Sequence, residues 1–259
     1  MPFTPSHIAA VLGLRRIGVE LPLAALAVGS MSPDLPYFLP GLTELGSASH
    51  HPWAVVSLDV MSGLALWAVW RLIASPLHAL VPTPIRERWT PAGWRSAKWW
   101  TVGLALAIGA ATHVAWDSFT HAGRFGSTHL AFLAASYPSP TGHWPGYEYA
   151  QYFSGAIGLA IIVWAGRRQP RRVVEPRTKS AWAIALPWVT VVAGLAGAGC
   201  RIFASGTLKA GAGALAFSAL TGSIGAAALA AAAVCWGYAL ARRRASTGER
   251  PVSTAAPVA

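Results

Sequence analysis

Charge and cysteine are both scarce in this chain of 259 residues. Lys, Arg, Asp and Glu make up 11% of it, against 54% hydrophobic residues and thirteen tryptophans, with a mean hydropathy of +0.45. An ordinary soluble domain carries about 25% charged residues, so the deficit excludes that class and leaves a polytopic membrane protein. The two cysteines, Cys200 and Cys235, lie in apolar runs. Neither belongs to a C-x-x-C pair or a metal-ligand spacing, so both read as small packing residues. Acidic residues are the scarcest charged class, nine against twenty basic ones, for a net charge of +11. That sign raises nucleic acid as a partner, and the positions of the basic residues decide against it below. The opening MPFTPSHIAAVLGLRR lacks a basic segment ahead of its apolar part and an A-x-A-like cleavage signal, so no cleaved signal peptide is expected.

Long apolar runs are what the chain has in plenty. Crossing the hydrocarbon core takes about 20 mostly apolar residues in a helix. Five stretches meet that length, from Trp53 to Ala74, Trp99 to Thr120, Tyr149 to Gly166, Ala181 to Ala204 and Ala212 to Ala241. The last two, with VVAGLAGAGC and GSIGAAALAAAAV, are Gly/Ala-rich and suited to close helix contact in lipid. Ahead of the first span, HIAAVLGL and LPLAALAVGSM are too short to cross, and the prolines of SPDLPYFLPG mark helix ends. The expected fold is therefore an all-α membrane bundle of about five transmembrane helices with short N-terminal interfacial or re-entrant helices. It divides into a candidate metal-site region at 1–165, a helical hairpin at 166–241 and a disordered Pro/Ser/Thr/Ala tail at 242–259.

Basic residues set an orientation. Arg71, Arg86, Arg88, Arg95 and Lys98 join the first two spans; Arg167, Arg168, Arg171, Arg172, Arg177 and Lys179 join the third and fourth; Arg242, Arg243, Arg244 and Arg250 follow the fifth. With five crossings these regions share one side, and the positive-inside rule places it in the cytoplasm. The net charge then needs no nucleic acid. The opposite side receives the N-terminal stretch, despite Arg15 and Arg16, and the loop at 121–147. Of the eight histidines, only His78 falls away from it.

Polar residues in this apolar setting gather around a few motifs. In ATHVAWDSFTHAG, His113, Asp117 and His121 recur every four residues and share one helix face, each step turning by about 40°. His113 and Asp117 can chelate one ion as an i, i+4 pair. In a straight helix His121 lies about 12 Å along the axis from His113, too far for the same ion. Either the helix bends at HAG or the site holds more than one metal. Asp34 sits in a Ser-Pro-Asp turn, His50 and His51 precede the first span in SASHHPW, and His7 opens the chain's first helical segment. Together they furnish nitrogen and oxygen ligands suited to zinc, or less selectively to manganese or iron. Asp59, two turns into the first span by this reading, is a carboxylate expected either to hold an imidazole or to join helices. Gln151, with Ser154 one turn on, can hydrogen-bond a ligand or a neighbouring helix. His129 and His143 read as solvated.

The segments MPFTPSH, GSMSPDLPYFLPG, SHHPWAVVSLD, HVAWDSFTH and YAQYFSGAIGL resemble an uncharacterised bacterial membrane family, domain of unknown function 4184. More distantly they resemble membrane-bound metal-dependent hydrolases and the zinc-dependent phospholipase C and single-strand nuclease fold. The resemblance covers about residues 1 to 165. It implies that His7, Asp34, His50 or His51, His113, Asp117 and His121 are ligands to one to three divalent ions, most simply zinc, in a phosphoester-cleaving site. The chain departs from the soluble enzymes in lacking a later H-x-x-x-E pair.

The expectation is thus a multi-pass protein of the bacterial plasma membrane whose metal-activated water attacks a phosphoester of a lipid or lipid-linked substrate. The rival is a non-enzymatic membrane protein, a metal-ion carrier or a scaffold in which His-Asp pairs serve structure alone. A haem-b protein needs facing axial histidines near mid-span, and only His113 lies inside a span.

Overall fold

The computed structural model describes residues 4–91, 98–175, 180–209 and 211–248. Arg95, Arg177, Lys179 and Arg250, counted above among the basic residues, lie outside them, as does the start of MPFTPSH. Two short helices, α1 (Ile8–Arg16) and α2 (Leu23–Gly29), precede five long ones: α3 (Leu58–Leu80), α4 (Trp99–Thr120), α5 (Gly146–Arg168), α6 (Ala181–Ser205) and α7 (Ala212–Gly248). The structure contains five helices long and apolar enough to cross a membrane, one in each of these regions. Their outer faces are apolar, with Leu72, Trp188 and Leu195 each more than 60% exposed. The fold is the all-α bundle that the hydropathy pattern predicts.

Helix ends differ from the hydropathy boundaries where proline chemistry intervenes. Pro52 opens a short 3-10 turn, Pro52–Val56, which Ser57 breaks at φ −127° and ψ −92°, so α3 starts at Leu58 rather than Trp53. At its far end α3 absorbs Pro76 and runs to Leu80. It stops where Val81, preceding Pro82, is held extended at ψ 158°. Gly206 at φ 63° closes α6 in the left-handed conformation that favours glycine. Beyond Ala241, α7 continues through Arg242–Arg244 to Gly248 where a disordered tail was expected. Ala and Arg are strong helix formers, and composition alone misses that.

The N-terminal segment folds back on itself as a hairpin of the short helices α1 and α2. Chain reversal between α1 and α2 passes through Gly18 at φ 91°, and α2 then packs along α4. Contact there is backbone to backbone: a Cβ on Gly29 would meet Leu106 O at 2.3 Å, and one on Gly109 would meet Leu26 O at 2.3 Å. Val11, Leu26, Trp67, Val102 and Leu106 fill the space between α1, α2, α3 and α4. In lipid such packing, more than the removal of apolar surface from water, holds helices together.

The α6–α7 hairpin uses the same device. A Cβ on Gly197 would come to 2.4 Å of Gly222 O, and the reverse also holds. Leu80 of α3 joins Ala183, Leu186, Val234 and Cys235 to dock this hairpin on the rest. Cys235 is buried as expected, whereas Cys200 is exposed, because the outer face of α6 meets no other helix. Between α4 and α5, where an open loop was expected, lie helical turns at Phe125–His129 and Ala131–Ala134 and a hairpin of β1 (Ser136–Ser139) and β2 (Gly142–Pro145). Its strands pair antiparallel, Ser136 opposite Pro145.

Candidate metal centre

Three elements deliver four polar residues to one point. Proline at the second position of Ser32–Asp34 shapes a 3-10 turn that continues α2 and leaves Asp34 buried. His50 follows the helical turn Leu45–Ala48, and α4 supplies His113 and Asp117 one turn apart. Ligand atoms of Asp34, His50, His113 and Asp117 all fall within 4.8 Å of one another, and all four residues are buried. Asp117 Oδ2 lies 3.2 Å from His50 Nε2 and 3.4 Å from His113 Nε2. Asp34 Oδ1 lies 3.4 Å from His50 Nε2 and 3.6 Å from His113 Nε2.

Backbone carbonyls fix both imidazoles. Nδ1 of His113 donates to Ser30 O at 2.7 Å, and Nδ1 of His50 donates to Gly46 O at 2.7 Å. Each ring therefore turns Nε2 inward, the orientation metal-binding histidines receive from a second hydrogen bond. The two inward Nε2 atoms are 3.3 Å apart. If both rings were neutral, two lone pairs would face each other there. Asp34 Oδ1 and Asp117 Oδ2 are buried without a hydrogen-bond partner. An orphaned buried carboxylate oxygen is costly, and a divalent cation satisfies both oxygens and both nitrogens at once. Two imidazoles and two carboxylates suit zinc and leave room for manganese or iron.

The charge balance of the N-terminal residues agrees. For Asp34, burial works to raise the carboxyl pKa, but the neighbouring His113 and His50 outweigh it and hold the group well below the usual carboxylate range. For His50, burial works to lower the imidazole pKa, and the carboxylates of Asp117 and Asp34 outweigh that and raise it. The two carboxylates thus favour positive charge at this point, which is what a bound metal would supply. His7 is pushed down to about 3, by burial first and then by His113.

His7 and His121 flank the cluster. His7 Nε2 approaches Asp117 Oδ1 at 3.5 Å, and its ring stacks on His113 with centroids 3.8 Å apart. α4 ends at Thr120, and His121 adopts an extended conformation at φ −131° and ψ 149°. Its Nδ1 lies 3.5 Å from Asp117 Oδ2, four residues back. The helix does end just before His121, but His121 is not among the four residues whose ligand atoms converge. Gln151 Nε2 sits 3.1 Å from His121 Nε2, and Ser154 accepts from Trp116 Nε1 at 3.1 Å. A cavity of about 20 Å³ adjoins His7, Asp34, Asp117, His121 and Gln151. It has room for about one water.

Several residues fall outside. His51 is exposed and stacks at 6.4 Å on Trp53, so of the adjacent pair only His50 enters the cluster. Pro52 next to it sets the chain direction outward. Asp59 is fully buried in α3 with both carboxylate oxygens lacking a hydrogen-bond partner, and it does not belong to the group of four. His129 and His143 are exposed. Two supporting residues escaped the sequence reading. Thr4 Oγ1 donates to Asp34 Oδ2 at 2.5 Å, and Arg124 Nη1 donates to His50 O at 3.0 Å. Thr4 had a signal, its place in MPFTPSH three residues before His7. Arg124 had none beyond standing three residues after His121.

A sequence model of the family described as Domain of unknown function (DUF4184) matches residues 1–236, and the chain belongs to that family. The match reaches past the expected residue 165 to take in most of the α6–α7 hairpin. No curated protein and no solved structure matches the chain.

Proposed function

We propose that this DUF4184 member is a metal-dependent hydrolase of the bacterial plasma membrane, acting on a phosphoester of a lipid or lipid-linked substrate, with its basic loops in the cytoplasm. The observation that carries the reading is the buried quartet of Asp34, His50, His113 and Asp117, whose two inward carboxylate oxygens lack any hydrogen bond. A structural His-Asp pair would hydrogen-bond its carboxylate fully, and this arrangement does not. A divalent ion held by the quartet supplies Lewis-acid polarisation of a phosphoryl oxygen and activation of a water nucleophile.

The chain's own residues do the remaining work. Ser30 O and Gly46 O orient the two imidazoles, and Thr4 holds the second oxygen of Asp34. His7, His121 and Gln151 line the small cavity, where they can orient a water or accept its proton. Motif likeness to hydrolases and to the phospholipase C fold supports the reaction class. A second reading has one observation in its favour. The cavity beside the cluster holds only about 20 Å³, which suits an ion kept for structure or carried without chemistry.

The test starts with elemental analysis of the full chain purified in detergent. Wild type is expected to hold about one or more divalent ions per chain, and His113→Ala with Asp117→Ala to hold none. Equal metal in both would end the chelate. A panel of chromogenic phosphodiesters and phospholipids, with and without chelator, then separates the readings: chelator-sensitive turnover supports the hydrolase, and metal without turnover on any ester supports the scaffold or carrier.

A further inference from the structure

Away from the quartet the helices enclose a second, larger space. A cavity of about 880 Å³ opens between α1, the start of α2, α5 and the segment after α3, and one of about 540 Å³ adjoins it through Ile8, Leu12, Leu23, Trp89, Thr90 and Arg172. One wall is apolar, built from Ile8, Leu12, Leu23, Ile162 and Val163. The lining also carries Arg88, Arg167 and Arg172, with Arg15 in the adjoining space; Arg15 thus stands with the basic loops, not on the opposite side where the N-terminal stretch was expected. No Asp or Glu lines either cavity among the described residues. Gln151 beside the quartet and Arg167 are sixteen residues apart on α5, about 24 Å along the helix. The groove is thus a separate feature, and nothing argued about it depends on hydrolysis.

We propose that this groove binds an anionic phospholipid, with an acyl chain against the apolar wall and the phosphate at Arg88, Arg167 and Arg172. Charge complementarity selects the head group. Arg88 spends one Nη1 hydrogen on Pro84 O at 3.1 Å, while its Nε is buried without a hydrogen-bond partner. Arg172 Nη1 donates to Thr90 Oγ1 at 2.9 Å, which fixes its guanidinium at the groove. A buried, unsatisfied guanidinium nitrogen is costly, and a phosphate oxygen is its natural acceptor. Trp89 lines the same groove, and indoles favour the membrane interface.

The wall selects a lipid over a soluble anion. Ile162 and Val163 lie on a helix long and apolar enough to cross the membrane, and Val163 is half-exposed. An acyl chain reaches this wall from the bilayer itself. A free phosphate would leave it bare, and a neutral lipid would leave three arginines without a counter-charge. Basic pockets between transmembrane helices at the anionic face of a membrane recognise lipid head groups in this way.

Native mass spectrometry of the full chain in detergent tests the assignment, titrating phosphatidylglycerol, phosphatidylcholine and glycerol phosphate. Phosphatidylglycerol is expected to bind at least tenfold tighter than phosphatidylcholine, and glycerol phosphate to fail to displace it. Arg88→Gln with Arg167→Gln is expected to weaken phosphatidylglycerol about thirtyfold, about fivefold for each charge. Arg242→Gln, outside the groove, should leave binding unchanged. Leu12→Trp, which fills the apolar wall, should weaken phosphatidylglycerol without touching any arginine, and Val163→Trp serves the same end if that variant fails to elute as a folded monodisperse species. Equal binding of the two phospholipids, full displacement by glycerol phosphate, or unchanged affinity in the arginine pair would overturn the proposal.

Discussion

Gly109→Ala tests whether the helix crossing sets the metal centre. The glycine lies one turn before His113, where α4 touches α2 backbone to backbone. A methyl there would sit 2.3 Å from Leu26 O and 2.6 Å from Ser30 N, against 3.4 Å or more for ordinary contact. Relief of the clash requires the helices to separate by about 1 Å, since both neighbours are backbone atoms. Overpacking of this kind costs about 1–3 kcal/mol, offset by up to about 1 kcal/mol from replacing a helical glycine. The net loss of stability is therefore modest, a fall of a few degrees in melting temperature. Metal binding is less forgiving, because ligand distances tolerate only about 0.2 Å. His113 moves with α4 while Asp34 and Ser30 O stay with α2, so the same displacement exceeds that tolerance about fivefold. Elemental analysis should show metal largely lost from a chain that still elutes as a folded species. Gly103→Ala, on the same helix but with nothing within 4 Å of the added carbon, should keep its metal. Full metal in Gly109→Ala, or equal loss in Gly103→Ala, would refute the reasoning.

Asp117→Asn should abolish metal retention, since its Oδ2 faces His50, His113 and His121 together; His51→Ala and Asp59→Asn should retain it, and loss in either would place that residue among the ligands. In the metal-free chain the raised His50 pKa stabilises the fold below about pH 6.5, and that contribution disappears as pH rises through the raised value. The depressed Asp34 pKa contributes above about pH 4 and is lost as pH falls through its lowered value. His7, pushed down to about 3, acts in the opposite sense, destabilising the fold as pH falls from about 6.5 towards that value; the gain in melting temperature on adding zinc should grow from about pH 6 to about pH 8.5, since ligation needs deprotonated imidazole, and a gain that is flat or shrinks contradicts the coupling. For orientation, Gln169→Cys in a chain with Cys200 and Cys235 replaced by Ala should resist an impermeant maleimide in intact cells and react in inverted vesicles, and labelling of intact cells would reverse the proposed topology.

Hydropathy carried the gross architecture because crossing a membrane imposes a length and a composition that few other roles share. It misplaced helix ends because those are decided by single residues. Ser57 delays α3, Pro82 stops it, and Pro76 lies inside it without ending it. The Gly29–Gly109 contact was not legible, since a glycine in an apolar run reads the same whether it meets a backbone or a lipid.

The site was legible for a different reason: an ionisable residue in apolar surroundings is expensive, so each one draws notice. That rule gathers candidates but cannot sort neighbours. His50 and His51 are adjacent and chemically identical, yet backbone geometry turns one ring inward against Gly46 O and leaves the other stacked on Trp53. His121 is the residue for which spacing left two arrangements open, a bent helix end or a second ion. On an unbroken α4 it would stand a full turn above Asp117 and away from His113. Its ring lies beside Asp117, as side chains four residues apart do, so the carboxylate meets four imidazoles, those of His7, His50, His113 and His121. Asp117 and Asp34 together cannot neutralise four imidazolium charges, and the neutral rings left over are free to act as ligands or as proton acceptors.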